Sequence, residues 1–199
     1  MWPRPSPSSK PLVTTVAIIG AGPLGRWLAL SAARAGFSVL LEDVLPGNLH
    51  HAQEFIRQQL SAEAVPAVVF ASTIEDAVRD ADLVIDCVPD ELESKLEILW
   101  LLDRMAPPRA VFATPTTRLS IADLAGCTYR PERCIAIAAE PAALAAGAGP
   151  AILLRTAPAT APETVALLNR FWRQLGFTPA FECAPAEPGV PIAASLLQL

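Results

Sequence analysis

The segment VAIIGAGPLGRW, residues 16–27, constrains the chain more than any other. A β-branched, apolar run ends in Gly20-Ala21-Gly22-Pro23-Leu24-Gly25 and passes at once into a helical pattern. That order predicts a buried strand, a tight turn and a helix that starts at the turn. Gly20 permits the turn, Gly22 lets a pyrophosphate approach the backbone, and Gly25 lets helix and strand pack closely. The helix N-terminus, with Pro23 and Leu24 in its first turn, adds N–H donors and the positive end of a dipole. A carboxylate is expected about 20 residues further on, at the end of the second strand. LLED places Glu42 and Asp43 there, and alternation along a strand aims only one of them at the crevice. Asp43, the last, is the candidate. It would accept bonds from adenosine ribose hydroxyls and repel a 2′-phosphate, which favours NAD over NADP.

Strand and helix patterns alternate beyond the turn. Strands are predicted at 14–20, 38–43, 67–70, 82–88, 110–115, 133–139, 151–156 and 178–183. Helices are predicted at 23–36, 48–60, 73–81, 90–106, 120–126 and 161–176. The alternation implies an α/β fold: a Rossmann-type, doubly wound, mainly parallel sheet in a single domain. Residues 13–185 are assigned to it. Residues 1–12 are Pro- and Ser-rich and are expected to be disordered. Residues 186–199 are an apolar tail, read as the start of a further domain. EPAALAAGAGPA, residues 140–151, reads as a flexible loop.

Several function classes are excluded on composition. The net charge is −5 and there is no basic stripe, so nucleic acid is an improbable partner. The apolar runs are short and broken, so no membrane span is expected, and the N-terminus carries no signal-peptide core. These features predict a cytoplasmic protein. Cys87, Cys127, Cys134 and Cys183 have no C-x-x-C spacing, and the histidines are only His50 and His51. No metal site is expected, and the cysteines read as small buried residues in a reducing compartment.

A hydride-transfer enzyme needs a group that handles the hydroxyl proton, usually His, with Lys or Tyr as alternatives. His50 and His51 follow the second strand, on the adenosine side. No His and no Lys occurs after Lys95. The single tyrosine, Tyr129, has Arg133 four residues on, where a Tyr–Lys pair needs Lys. A base of these kinds is absent where the nicotinamide would lie.

With these residues in view, the chain resembles the NAD-binding domain of the 3-hydroxyacyl-CoA dehydrogenases from about residue 14 to about 190. The glycine unit matches that family's opening. DAVRDADLVIDCVPDELESKLEIL is similar to the family's ADLVIEAVPEDLELK, and APPRAVFATPTTRLSIADLAGCTYRPERCIAI to its ATNTSSLSI…RPERVIGMHFFNP. The resemblance implies that Asp90 replaces a Glu near the cofactor and that Lys95 matches a cofactor-contacting Lys. Pro115 falls on the Asn beside the nicotinamide and Thr117 on the substrate-binding Ser. The catalytic His falls on Ala138 and its orienting Glu near Ile152, so both members of the pair are replaced. Glu140, near the family's Asn of HFFNP, is the stand-in candidate base.

Plainer roles compete at each site: first-turn acids for Asp90 and Glu91, a solvated helix residue for Lys95, a turn residue for Thr117 and a loop carboxylate for Glu140. Three functions follow as expectations: an NAD(H)-binding domain impaired in catalysis or dependent on a partner, an active 3-hydroxyacyl-CoA dehydrogenase of fatty-acid metabolism, or a cofactor-free interaction module. The partners implied are a dinucleotide, an acyl-CoA, and a second copy of the chain or a separate helical subunit.

Overall fold

The computed structural model describes residues 15–60, 68–139 and 151–184. The predicted disordered start, the apolar tail, the 140–151 loop up to its last residue, and Glu140 with it lie outside the described residues. The strands are β1 (Thr15–Ile19), β2 (Ser38–Glu42), β3 (Val68–Phe70), β4 (Leu83–Asp86), β5 (Val111–Pro115), β6 (Cys134–Ile137), β7 (Ala151–Thr156) and β8 (Thr178–Cys183). The helices are α1 (Pro23–Arg34), α2 (Pro46–Gln59), α3 (Ile74–Val78), α4 (Leu92–Met105), α5 (Ile121–Gly126) and α6 (Pro162–Gln174).

Among the described residues the strands form one sheet in the order β3-β2-β1-β4-β5-β6-β7-β8. All neighbours are parallel except β6 and β7, which run antiparallel. The reversal was not expected from alternation alone, because periodicity sets which face a side chain takes and says nothing of strand direction.

Period-two alternation divides the strand residues between two cores. Val16 and Ile18 of β1 join Leu28, Ala52, Phe171 and Trp172, so α1, α2 and α6 cover one face. Ala17 and Ile19 join Val78, Leu99, Leu102 and Leu124, so α3, α4 and α5 cover the other. α1 leaves β1 on the first face and α4 leaves β4 on the second. The chain order therefore reverses between β1 and β4. In a sheet of this type the usual place for a ligand is beyond the carboxyl ends of the two strands at such a reversal.

Phe171 and Trp172 are buried, while Trp100 is 48% exposed beneath the Arg104 guanidinium. His50 and His51 are exposed on α2. The cysteines divide: Cys134 is buried, Cys87 and Cys127 are intermediate and Cys183 is exposed on the edge strand. The expectation of small buried residues thus fails at Cys183, which lies on β8, the last strand of the sheet among the described residues. Among the described residues no helix is long and apolar enough to cross a membrane.

Candidate dinucleotide and substrate site

The three glycines do three different things. Gly20 has φ +104°, a region that side chains avoid, and a Cβ there would lie 3.0 Å from the Cys87 carbonyl oxygen. A Cβ on Gly25 would lie 1.8 Å from the Gly20 carbonyl oxygen, so only hydrogen fits where α1 crosses β1. A Cβ on Gly22 meets nothing within 4 Å among the described residues. The protein therefore leaves the space at Gly22 clear, as a phosphate approaching the backbone requires. Gly22 caps α1, Pro23 holds its first position, and no acidic residue stands in the first turn to fill the N–H cradle.

Asp43 reaches this turn. Its Oδ2 accepts from the Ala21 N–H at 2.7 Å and from Asn48 Nδ2 at 3.1 Å, while Oδ1 accepts from the Leu45 N–H at 2.8 Å. A carboxylate offers about four acceptor sites, so room for a ribose hydroxyl remains on Oδ1. Glu42 is 5% exposed, and burial, with the Asp43 charge second, pushes its carboxyl above the ordinary value. Asp43, not Glu42, is the carboxylate brought to the glycine turn.

Lys95 is fully buried, and its ammonium lies 2.5 Å from Asp86 Oδ1 at the end of β4. The solvated-helix alternative is thereby removed. Asp86 pairs with Ile19 at the last position of β1, next to Gly20. Lys95 therefore braces the carboxyl end of β4 from the α4 side. Asp86 escaped the sequence reading, although a charged residue closing the apolar run LVI was a signal.

Around the carboxyl ends of β4, β5 and β6 a second group forms. Pro115 ends β5, buried and paired with Ile137. The Thr117 N–H donates to Asp90 Oδ2 at 3.4 Å, and Arg155 Nη1 donates to the Thr117 carbonyl at 3.2 Å. Asp90 Oδ1 is buried and has no hydrogen-bond partner among the described residues. An orphaned carboxylate oxygen at this edge suits a hydroxyl or amide donor brought by a ligand. Asp90 is thus committed to the Thr117 loop rather than serving only as a first-turn acid. α4 begins two residues later, at Leu92.

The two positions that the resemblance gives to the catalytic pair lie on neighbouring stretches of the sheet but do not face each other. The Ala138 N–H donates to the Leu153 carbonyl at 2.8 Å, continuing the β6–β7 register, so Ala138 is opposite Leu153 and Ile152 takes the other face. Ile152 is 2% exposed and belongs to the apolar core. Tyr129 is 88% exposed, and its N–H is bound to Asp103. Among the described residues no cluster of three or more His, Cys, Asp or Glu could hold a metal ion.

Comparison with known proteins agrees with this geometry. The profile of the 3-hydroxyacyl-CoA dehydrogenase NAD-binding domain matches residues 15–181. The chain belongs to this family. A 3-hydroxybutyryl-CoA dehydrogenase of Bradyrhizobium diazoefficiens is 34% identical over 63% of the chain and 47% of its own length. An L-carnitine dehydrogenase of Burkholderia mallei is 34% identical over 84% of the chain and 54% of its own length. The crystal structure of 3-hydroxybutyryl-CoA dehydrogenase from Escherichia coli superposes with a TM-score of 0.75 at 29% identity, covering 86% of this chain and 38% of that one. The chain spans about half the length of the curated relatives it matches. NAD is the cofactor of this domain, and the glycine turn, the open space at Gly22 and Asp43 fit it.

Proposed function

We propose that the chain binds NAD(H) in the crevice and holds the oxygen of a 3-hydroxyacyl-type substrate at Thr117, without the family's His–Glu pair. The observation that carries this reading is that the positions the resemblance gives to the pair, Ala138 and Ile152, hold only apolar side chains, with Ile152 buried in the core. An alanine methyl moves no proton, and a buried isoleucine orients none. When bound, NAD supplies hydride acceptance, and NADH hydride donation. The chain's own part is to seat the pyrophosphate on the α1 N-terminus, hold the ribose at Asp43, and place the Thr117 hydroxyl at the substrate edge. The relatives are named for 3-hydroxybutyryl-CoA and for L-carnitine. Their shared chemistry is that of a dehydrogenase, and an acyl-CoA is the first substrate class to test.

Loss of a positioned proton-transfer group costs about 10²–10⁴ in rate. Turnover of acetoacetyl-CoA with NADH should therefore fall far below the typical enzyme kcat of about 10 s⁻¹. A rate near that value would overturn the impaired reading and leave a second one. In the second reading Asp90 or Glu140 takes the proton, and the unpartnered Asp90 Oδ1 is what favours it. Asp90→Asn and Glu140→Gln would then separate the two carboxylates.

A further inference from the structure

We propose that Arg155 is a positioning residue that fixes the substrate-holding loop. The proposal rests on the reading that Thr117 carries the substrate oxygen. Arg155 stands on β7 opposite Ala136 of β6, and Ala136 in turn lies beside Thr114 of β5. These three residues share one face of the sheet as cross-strand neighbours. Ala136 has only a methyl to offer, so the guanidinium can cross β6 and reach the loop that follows β5. There Nη1 donates to the Thr117 carbonyl at 3.2 Å, while Nε lies 3.4 Å from Glu182 Oε2 on β8.

The other side of the same residue is held by an opposite charge. The Thr117 N–H donates to Asp90 Oδ2 at 3.4 Å. A cation thus meets the carbonyl of Thr117 and an anion meets its amide, so each charge matches the peptide dipole it faces. Neutral bonds also hold the loop. The Thr116 N–H reaches the Ile137 carbonyl at 3.1 Å, and Thr116 Oγ1 accepts from the Leu119 N–H at 3.0 Å. Arg155 therefore ties the antiparallel end of the sheet to the Thr117 peptide. Arg155 and Glu182 are partly exposed, so their ion pair alone contributes little. The weight of the arrangement falls on where it holds Thr117.

The test uses Arg155→Met, which keeps an aliphatic stem and removes the donors, and Arg155→Lys, which keeps a charge and a donor. Amide exchange of residues 116–119 is followed by mass spectrometry on the full chain, and affinities for NADH and for acetoacetyl-CoA with NADH present are measured alongside. Arg155→Met should speed exchange of that segment about tenfold and weaken acetoacetyl-CoA about tenfold, the scale of one charge-assisted hydrogen bond. NADH affinity should stay within about twofold, and Arg155→Lys should recover most of both losses. Wild-type exchange in Arg155→Met overturns the proposal. A wild-type chain that takes NADH but no acetoacetyl-CoA refutes the substrate reading alone, and the exchange arm still decides the role of Arg155.

Discussion

Gly22 and Gly25 are three residues apart in one motif, and the structure assigns them opposite consequences. The perturbations are Gly25→Ala and Gly22→Val, each compared with wild type in urea or thermal unfolding and in NADH titration. A Cβ on Gly25 would sit 1.8 Å from the Gly20 carbonyl oxygen, a backbone atom that cannot swing away. Overpacking of this kind costs about 1–3 kcal/mol, and a clash with main chain belongs at the upper end. For a domain of this size 3 kcal/mol lowers Tm by roughly 6–12 °C. At Gly22 a Cβ meets nothing within 4 Å among the described residues, and φ −64° is open to any residue. The N-cap preference lost with valine is offset by reduced freedom of the unfolded chain, so stability should change by less than about 1 kcal/mol. NADH binding should instead fall about 100-fold or more, equivalent to about 2.7 kcal/mol, because the valine side chain fills the phosphate approach. Gly22→Val binding NADH like wild type would refute the cradle. Gly25→Ala unfolding like wild type would refute the packing argument.

Three further outcomes follow. Lys95→Met leaves the buried Asp86 carboxylate without its ammonium and should cost about 3–5 kcal/mol in urea unfolding, with much of the loss recovered in Lys95→Met/Asp86→Leu; a single-variant loss under about 1 kcal/mol would sink the brace. Because the Glu42 carboxyl is raised by burial and Asp43, the fold holds its proton more tightly than the unfolded chain does, so stability is lost as pH rises from the unfolded value through the folded one. Glu42→Gln should therefore raise Tm near pH 7, with the gain shrinking toward pH 4; an equal gain at both would contradict this. Burial pushes the Cys127 thiol up to about 11 and Cys134 up to about 12, while Cys183 is exposed. Iodoacetamide near pH 8 should label Cys183 first in the native chain, as peptide mapping would show.

The elements were legible because their periods differ. TVAII and SVLLE are continuous apolar runs of buried strands, and α6 carries Leu167, Leu168, Phe171 and Trp172 at helical spacing. The cofactor half of the site was legible for the same reason: its parts are local to one strand–turn–helix unit, with Asp43 one strand away. The Lys95–Asp86 pair was also within reach, since Lys95 lies three, four and seven residues before Ile98, Leu99 and Leu102 on the buried stripe of α4. Of the candidate substrate half, Thr117 and Asp90 were named only through the family resemblance, and Arg155 was not named. Arg155, Thr117 and Asp90 meet across 27 and 38 residues of chain, and the meeting depends on the reversed strand β7. Nothing in AILLRT marks it as antiparallel or singles out its arginine.

The most direct test of the account is a calorimetric titration of the chain with NADH and, separately, with NADPH. The account predicts saturable one-to-one binding of NADH and at least about tenfold weaker binding of NADPH, since the Asp43 carboxylate opposes a 2′-phosphate. No heat of binding with NADH, or tighter binding of NADPH, would contradict it.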